Sequence, residues 1–503
     1  MSTFARTRPA RGLLLALLVL TAWRLGAAMH ANLELYADEA QYFDWSRQLD
    51  WGYYSKPPML AWIIRLSTEL FGTSELGVRA MSFILYPLGA WTLFIAVRRL
   101  FAGEPGAERW AAAAAFAYAT LPLVALGSWL ITTDAALLLF WSLALYLLVR
   151  ALDRGAWRDW ILLGLCVGLG GLSKYTMVFF PLALAAYLLS SPRHRFWLGN
   201  PKPWIAAAVA LLVLLPNLLW NASHDFASFR HTAEISQLDR ELVNPVALAE
   251  FFGAQFMVFG PLMLAALLLA VFNARRWWAN ERMRMLAFFT LLPLAAFLGL
   301  SLLSRAFANW AAFAYVAGAA FTTLVLLHAG RRRLWLTAVL VNLGLGAAIY
   351  HAHAITAALG IELTRKTDPY ARVTGARALG EEVRRRLEQF PDARLVGDDR
   401  KTFALLLYYA RPESDGARYF NPDGRIRNHY ALTRDVRASP AGEFILISRA
   451  ARADTLAMHF AVVEALPPIQ IPLYRDHTMH YSVWRLRHHR AAMEPEPTPQ
   501  TPS

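Results

Sequence analysis

Apolar runs separated by short polar breaks dominate the first 355 residues of the chain. Those long enough, or nearly so, to cross a hydrocarbon core of about 30 Å lie at 13–29, 81–97, 110–127, 131–149, 160–172, 176–189, 204–219, 256–272, 285–303, 310–327 and 334–354. The pattern predicts about eleven transmembrane helices, within a range of nine to thirteen. In the first break, residues 30–80, the stretches 40–49 and 59–71 carry apolar side chains at helical spacing. Trp45, Leu49, Trp62 and Leu66 are among them, so two helices lying on the membrane surface are expected. A second long break, 221–255, is polar and reads as a loop of lid-like length. After residue 355 hydropathy falls: a helical stretch at 370–390 is followed by β-like runs at 393–396, 443–448 and 482–486. A soluble α/β domain over 356–490 is the expectation, ending in a proline-rich disordered tail, 491–503.

Composition agrees with that pattern. The chain is 57% hydrophobic and only 17% charged, which excludes an ordinary soluble protein. Its net charge of +14 does not point to nucleic acid, because the basic residues punctuate apolar segments instead of gathering on one face. With the N-terminus inside, the inner loops hold nineteen Lys and Arg and the outer loops before the C-terminal region hold eight, Arg240 among them. The 30–80 break and the C-terminal domain are therefore expected on the outer side. Arg6, Arg8 and Arg11 before the first run, with Gly26-Ala27-Ala28 after it, also fit a cleavable signal; a retained helix is expected mainly on the resemblance given below. Cys166 is the single cysteine, so an intrachain disulfide is excluded.

Ionisable residues beside a bilayer are costly unless paired or solvated, which makes them candidates for chemistry. Asp38 and Glu39 are adjacent and point in different directions on a helix, so one acts and the other supports; capping of the following helix explains Asp38 equally well. Lys56, in Tyr53-Tyr54-Ser55-Lys56-Pro57-Pro58, is placed to meet an anionic head group or to snorkel to lipid phosphates. Asp134 opens a span behind Thr132 and Thr133, where a first-turn role explains it without function. Lys174 and Arg305, the latter near Asn309-Trp310, fall on the same outer side and either bind phosphate or anchor helix ends. His224 and His231 have a spacing that selects no metal geometry.

At Asp38-Glu39-Ala40-Gln41-Tyr42 and Tyr53-Tyr54-Ser55-Lys56-Pro57-Pro58 the chain resembles glycosyltransferase family 39, the bacterial relatives of protein O-mannosyltransferases and of the lipid A aminoarabinose transferase. The resemblance continues through Thr133-Asp134, Gly171-Leu172-Ser173-Lys174-Tyr175, Pro216-Asn217-Leu218-Leu219-Trp220-Asn221, Asn309-Trp310 and Asp368-Pro369-Tyr370. It implies a GT-C membrane fold, a sugar donor carried on a polyprenyl phosphate, and an active site in the outer first loop. By position it implies catalytic roles for Asp38, with Glu39 beside it, and for Asp134 as a second acidic site. Lys56 and Tyr53 then lie near the donor phosphate, with Arg305 a further candidate there. The aminoarabinose transferase has arginine where this chain has Gln41, and a longer first loop, so sugar and acceptor are left open.

Sugar transfer needs a base or acceptor-orienting carboxylate and a cation for the leaving phosphate, which Asp38 and Lys56 supply. No cofactor is expected, and a divalent metal is open but not required. The expected function is transfer from the lipid-linked donor to a periplasmic acceptor such as lipid A, lipopolysaccharide core or another glycan, in a bacterial inner membrane. A protein O-mannosyltransferase is the enzymatic alternative. A transporter or flippase of lipid-linked sugars is the alternative of another class, though polar midspan residues and related halves are not evident.

Overall fold

The computed structural model describes residues 7–236, 243–438 and 441–490. Arg6, Arg240 and the tail 491–503 lie outside the described residues. The chain forms two compact units: residues up to Asn32 with Leu49–Ile355, and Leu33–Gln48 with the chain from Thr356 onward. The segment 33–48 therefore departs from the sequence-based division at residue 355.

The first unit is a multi-pass helical membrane bundle. Six helices are long and apolar enough to cross a bilayer, Arg8–Ala31, Glu75–Leu100, Thr133–Arg154, Pro201–Ser223, Glu281–Leu303 and Arg332–Tyr350, and counting each bent pair as one span gives up to eight. One bent pair is Ala107–Thr120 with Pro122–Trp129, turned by 56°. The proline there takes the first helical position, where a missing N–H costs nothing. The other is Pro245–Val258 with Pro261–Phe272, turned by 115°. Its break is Gly260, at φ +92°, followed by Pro261, so the single span expected at 256–272 is divided. The runs at 160–172, 176–189 and 310–327 form shorter apolar helices, Trp157–Ser173, Tyr175–Ser190 and Ala314–His328. All eleven apolar runs are thus helical, but fewer than eleven are shown to be spans by length.

Small residues set the closest packing. A Cβ on Gly164 would lie 2.3 Å from the Ala206 carbonyl oxygen, and one on Gly168 2.6 Å from Val213 Cβ. Trp157–Ser173 and Pro201–Ser223 therefore meet through glycine, the usual solution where lipid supplies no hydrophobic drive between helices. The described residues of the stretch 221–255 are largely helical. Pro201–Ser223 runs into it, Ala227–Ser236 lies within it, and Pro245–Val258 begins inside it with the Asn244 side chain accepting the Ala247 N–H at 2.9 Å. Many of its described polar residues lie in or at the ends of these helices, a pattern that hydropathy alone reads as loop.

The second unit has a five-stranded sheet: β1 Ala393–Gly397, β2 Arg418–Tyr419, β3 Glu443–Ser448, β4 Phe460–Tyr474 and β5 His477–His489, in the order β2-β1-β3-β5-β4. β1 is parallel to β2 and β3, while β5 is antiparallel to β3 and β4. The core gathers Val396, Phe444, Leu446, Phe460 and Leu486. The Ala376–Gln389 helix buries Leu379, Val383 and Leu387, one face at helical spacing.

The two short helices of the first break differ from one another. Met59–Phe71 buries Leu60 and Ile64 and exposes Leu66, Leu70 and Phe71, the amphipathic form expected of a surface helix. Ala37–Arg47 buries almost its whole length, with Trp45 edge-on to His429, and packs on the Arg400–Tyr409 helix. It is a core element of the second unit and does not lie open as a surface helix.

Candidate active site

In the second unit, Asp38 and Glu39 occupy the first turn of Ala37–Arg47. Successive helix positions diverge by about 100°, so their carboxylates separate. Glu39 is buried, and its Oε2 accepts the Tyr36 N–H at 2.9 Å. Tyr36 is thus the N-cap of this helix and Glu39 closes the capping box, so the cap considered for Asp38 is not made by Asp38, and the Glu39 carboxylate is engaged with the backbone. Asp38 is half-exposed, and its Oδ1 accepts from Arg400 Nη1 at 2.8 Å.

Arg400 was not legible as a partner. It opens the Arg400–Tyr409 helix just after β1, and Asp399 caps that helix by accepting the Thr402 N–H at 2.8 Å. The same Nη1 donates to Gln41 Oε1 at 2.5 Å. A guanidinium therefore reaches the Asp38 carboxylate from position 400, on the helix face where Gln41 replaces the arginine of the resemblance. Burial works against the Arg400 charge, yet the adjoining Asp38 carboxylate holds it above its ordinary value. Two further ion pairs fix the Ala37–Arg47 helix, Asp44 to Arg434 at 2.8 Å and Arg47 to Asp415 at 2.8 Å. Burial pushes the Asp44 carboxyl up, with Arg434 pulling the other way.

In the first unit, Asp134 is buried at the start of Thr133–Arg154, where the side chain of Thr132 is the cap. Its Oδ1 accepts from Lys174 Nζ at 2.7 Å and its Oδ2 from Asn309 Nδ2 at 2.8 Å. Three pieces of the sequence pattern, at 133–134, 173–175 and 309–310, converge here. Arg305 does not join them. Its guanidinium lies 4.7 Å from the centre of the Phe307 ring, exposed and with no ion pair among the described residues, so the cation beside Asp134 is Lys174.

Lys56 is half-buried in a tight turn closed by Tyr53 N–H to Lys56 O at 3.1 Å and Lys56 N–H to Tyr53 O at 3.3 Å. Helix Pro201–Ser223 and its continuation pin that turn. Asn217 Nδ2 donates to Trp51 O at 2.7 Å, Trp220 Nε1 to Asp50 Oδ2 at 2.7 Å, and Ser228 Oγ to Tyr53 O at 2.7 Å. Tyr53 is 1% exposed, and its hydroxyl accepts the Asp50 N–H at 3.2 Å. It braces the turn that carries Lys56. Tyr175 extends the network, its hydroxyl donating to Asn217 Oδ1 at 3.0 Å and accepting from Asn221 Nδ2 at 3.2 Å. Polar contacts thus run from the Lys56 turn through Asn217 to Tyr175, whose chain neighbour Lys174 pairs with Asp134.

The turn has no room for a larger residue at position 52, where a Cβ would come within 2.4 Å of the Trp220 ring. Gly52→Ala is expected to displace the indole or the turn, at a cost of about 1–3 kcal/mol. Thermal unfolding of the purified variant checks this, an unchanged midpoint counting against the pinning role. Among the described residues, no group of three or more His, Cys, Asp and Glu side chains is arranged to hold a metal ion. His224 instead stacks on Trp220, with ring centres 4.1 Å apart.

The helical bundle, the polar cluster at one end of its helices and the small α/β unit define the GT-C class of membrane glycosyltransferase folds. Solved structures bear this out. The chain aligns with ArnT from Cupriavidus metallidurans in the apo state over 95% of its own length and 98% of that chain, with a TM-score of 0.66 at 14% identity. Its alignment with the same protein bound to undecaprenyl phosphate covers 94% and 97%, with a TM-score of 0.65 at 15% identity. Residues 55–220 match the family described as dolichyl-phosphate-mannose-protein mannosyltransferase. In sequence, the chain is 39% identical to the lipid A galacturonosyltransferase RgtD of Rhizobium johnstonii over 312 residues, 62% of this chain and 64% of that one. It is 35% identical to the undecaprenyl phosphate-alpha-4-amino-4-deoxy-L-arabinose arabinosyl transferase of Pseudomonas aeruginosa over 170 residues, 33% and 30% of the two chains. The chain therefore spans less than two thirds of the length of these sequence relatives. The resemblance to glycosyltransferase family 39 read from the first loop stands.

Proposed function

We propose that the protein transfers a sugar from a polyprenyl-phosphate donor to lipid A or lipopolysaccharide core at the periplasmic face of a bacterial inner membrane. The observation that carries this reading is that two polar clusters, the Lys56 turn with Asn217 and Tyr175, and Asp134 with Lys174 and Asn309, meet at the adjacent residues Lys174 and Tyr175. Ionisable groups buried at the end of a membrane bundle are retained for function more often than for stability. The named relatives add the chemistry: two act on lipid A or on an undecaprenyl-phosphate sugar, and the first makes a galacturonic acid residue the favoured cargo.

In this reading Asp38 accepts the proton of the incoming hydroxyl or orients it, with Arg400 fixing one carboxylate oxygen so that the other faces the acceptor. Lys56 sits on the donor phosphate and stabilises it as it leaves, so the mechanism requires no metal. Lys174, already paired with Asp134, holds the charge of that cluster.

Incubating the protein in proteoliposomes with a labelled polyprenyl-phosphate sugar and lipid A tests the proposal. Label on lipid A with release of free polyprenyl phosphate is the expected result; movement of the intact donor across the bilayer would make the protein a transporter instead. Within the assay, Lys56→Gln is expected to lower turnover about a hundredfold or more at saturating donor, equivalent to roughly 2–4 kcal/mol of lost transition-state stabilisation. Lys56→Arg should recover only part of it, because a planar fork replaces a compact ammonium in a tight turn. Equal turnover in all three proteins would return Lys56 to a membrane anchor.

A further inference from the structure

At the other end of the bundle an apolar groove runs into a polar cavity. The groove, about 830 Å³, lies between the Arg8–Ala31 and Ser82–Leu100 helices, with Leu14, Leu18, Ile84 and Leu88 along it. Leu14, Leu18 and Leu88 are exposed, as suits a lipid-facing wall. The cavity, about 150 Å³, is lined by Asp153, Arg193, His194, Glu281 and Arg282. Arg99 and Ala102 form part of both walls, so the two spaces adjoin. Asp153 lies at the end of the helix that Asp134 begins, a helix length of about 30 Å from the candidate active site.

We propose that this composite space holds one molecule of an anionic glycerophospholipid with a hydroxylated head, phosphatidylglycerol, as a bound structural lipid. An acyl chain fills the groove and the head enters the cavity. The linings match that division. Arg98, Arg99, Arg193 and Arg282 surround the junction and the cavity, and basic pockets between membrane helices select anionic head groups. Arg98, Arg99 and Arg282 pair with Glu108 at 3.6 Å, Asp153 at 3.2 Å and Glu104 at 2.8 Å, but each guanidinium carries five N–H donors. Exposed Arg193 makes no ion pair or hydrogen bond among the described residues. Glu281 Oε2 is buried without a hydrogen bond, with His194 Nδ1 3.3 Å away, and Asp153 is half-exposed beyond its pair with Arg99, so glycerol hydroxyls can donate to both carboxylates. That mixture of charges favours phosphatidylglycerol over a polyprenyl phosphate.

Native mass spectrometry of the detergent-purified full chain, exchanged against equimolar phosphatidylglycerol, phosphatidylethanolamine and undecaprenyl phosphate, tests the site. One retained phosphatidylglycerol is expected. Its retention should fall about fivefold in Arg193→Gln, the effect of one basic side chain near a lipid phosphate. It should be lost in Leu88→Trp, which fills the groove, and both positions are exposed enough to leave the fold intact. Three results would overturn the proposal: equal retention of phosphatidylethanolamine, retention unchanged in both variants, or undecaprenyl phosphate as the lipid whose retention those variants abolish.

Discussion

Asparagine at position 38 is expected to abolish sugar transfer while the protein remains folded in the membrane. The amide keeps the size of the side chain and one oxygen that can still accept from Arg400 Nη1, which now lies 2.8 Å from the carboxylate. It loses the charge and the basicity. General-base or acceptor-orienting action at a sugar hydroxyl contributes about 10²–10⁴ in rate, and a loss in that range is the expected readout. A helix-capping aspartate would behave otherwise, because asparagine caps almost as well; in the structure Tyr36 is the N-cap and Glu39 closes the capping box. Turnover of labelled donor in proteoliposomes, alongside the unfolding midpoint, decides the matter. Near-wild-type turnover in a folded Asp38→Asn protein would remove Asp38 from the chemistry.

The second large effect concerns the Asp134–Lys174 pair. With side chains 5% and 11% exposed, the pair is held at 2.7 Å inside the bundle end. Lys174→Met would leave a buried carboxylate with only Asn309 as partner, a change that costs on the order of 3–5 kcal/mol when a buried pair is broken from one side. Asp134→Asn alone should cost less, since the ammonium is on a flexible stem and can move toward water. The double variant should recover much of the stability lost in Lys174→Met, the non-additivity that marks two groups acting on each other. Unfolding midpoints of the four proteins supply the cycle, and strictly additive losses would show that the contact carries no coupling.

Most of the membrane architecture is legible in the chain because apolar runs and basic loops are dictated by the bilayer itself. The sheet strands β1 and β3 and the centre of β5 are legible for a similar reason, being short β-branched and aromatic runs inside a sheet. β4 is not. It sits at the sheet edge and carries Pro467 and Pro468, where its pairing with β5 shifts register between Leu466 and Ile469. Proline is tolerated there because an edge strand has a side that needs no donors, but it erases the strand pattern. The candidate site divides the same way. Asp38, Lys56, Asp134 and Lys174 can be picked out because charge near a bilayer demands a reason. Arg400 cannot, because it lies in a soluble stretch rich in arginine and its partner is 362 residues away. The contacts of Glu39 with the Tyr36 N–H and of Tyr53 with the Asp50 N–H depend on which way a side chain turns, which only the folded backbone decides.

The membership of residues 33–48 in the second unit has a consequence for how the protein is made. The Asp38 helix is synthesised well before the strand and helix that place Arg400 beside it, a residue 362 positions further along the chain. At roughly 5–20 residues per second, that is a wait of about 20–70 s during which the carboxylate has no fixed orientation. A nascent or prematurely terminated chain can therefore thread its spans into the bilayer, yet it cannot present a finished Asp38. The order of synthesis ties a late-made segment to an early one, so that only a chain extended past Arg400 carries the assembled acid.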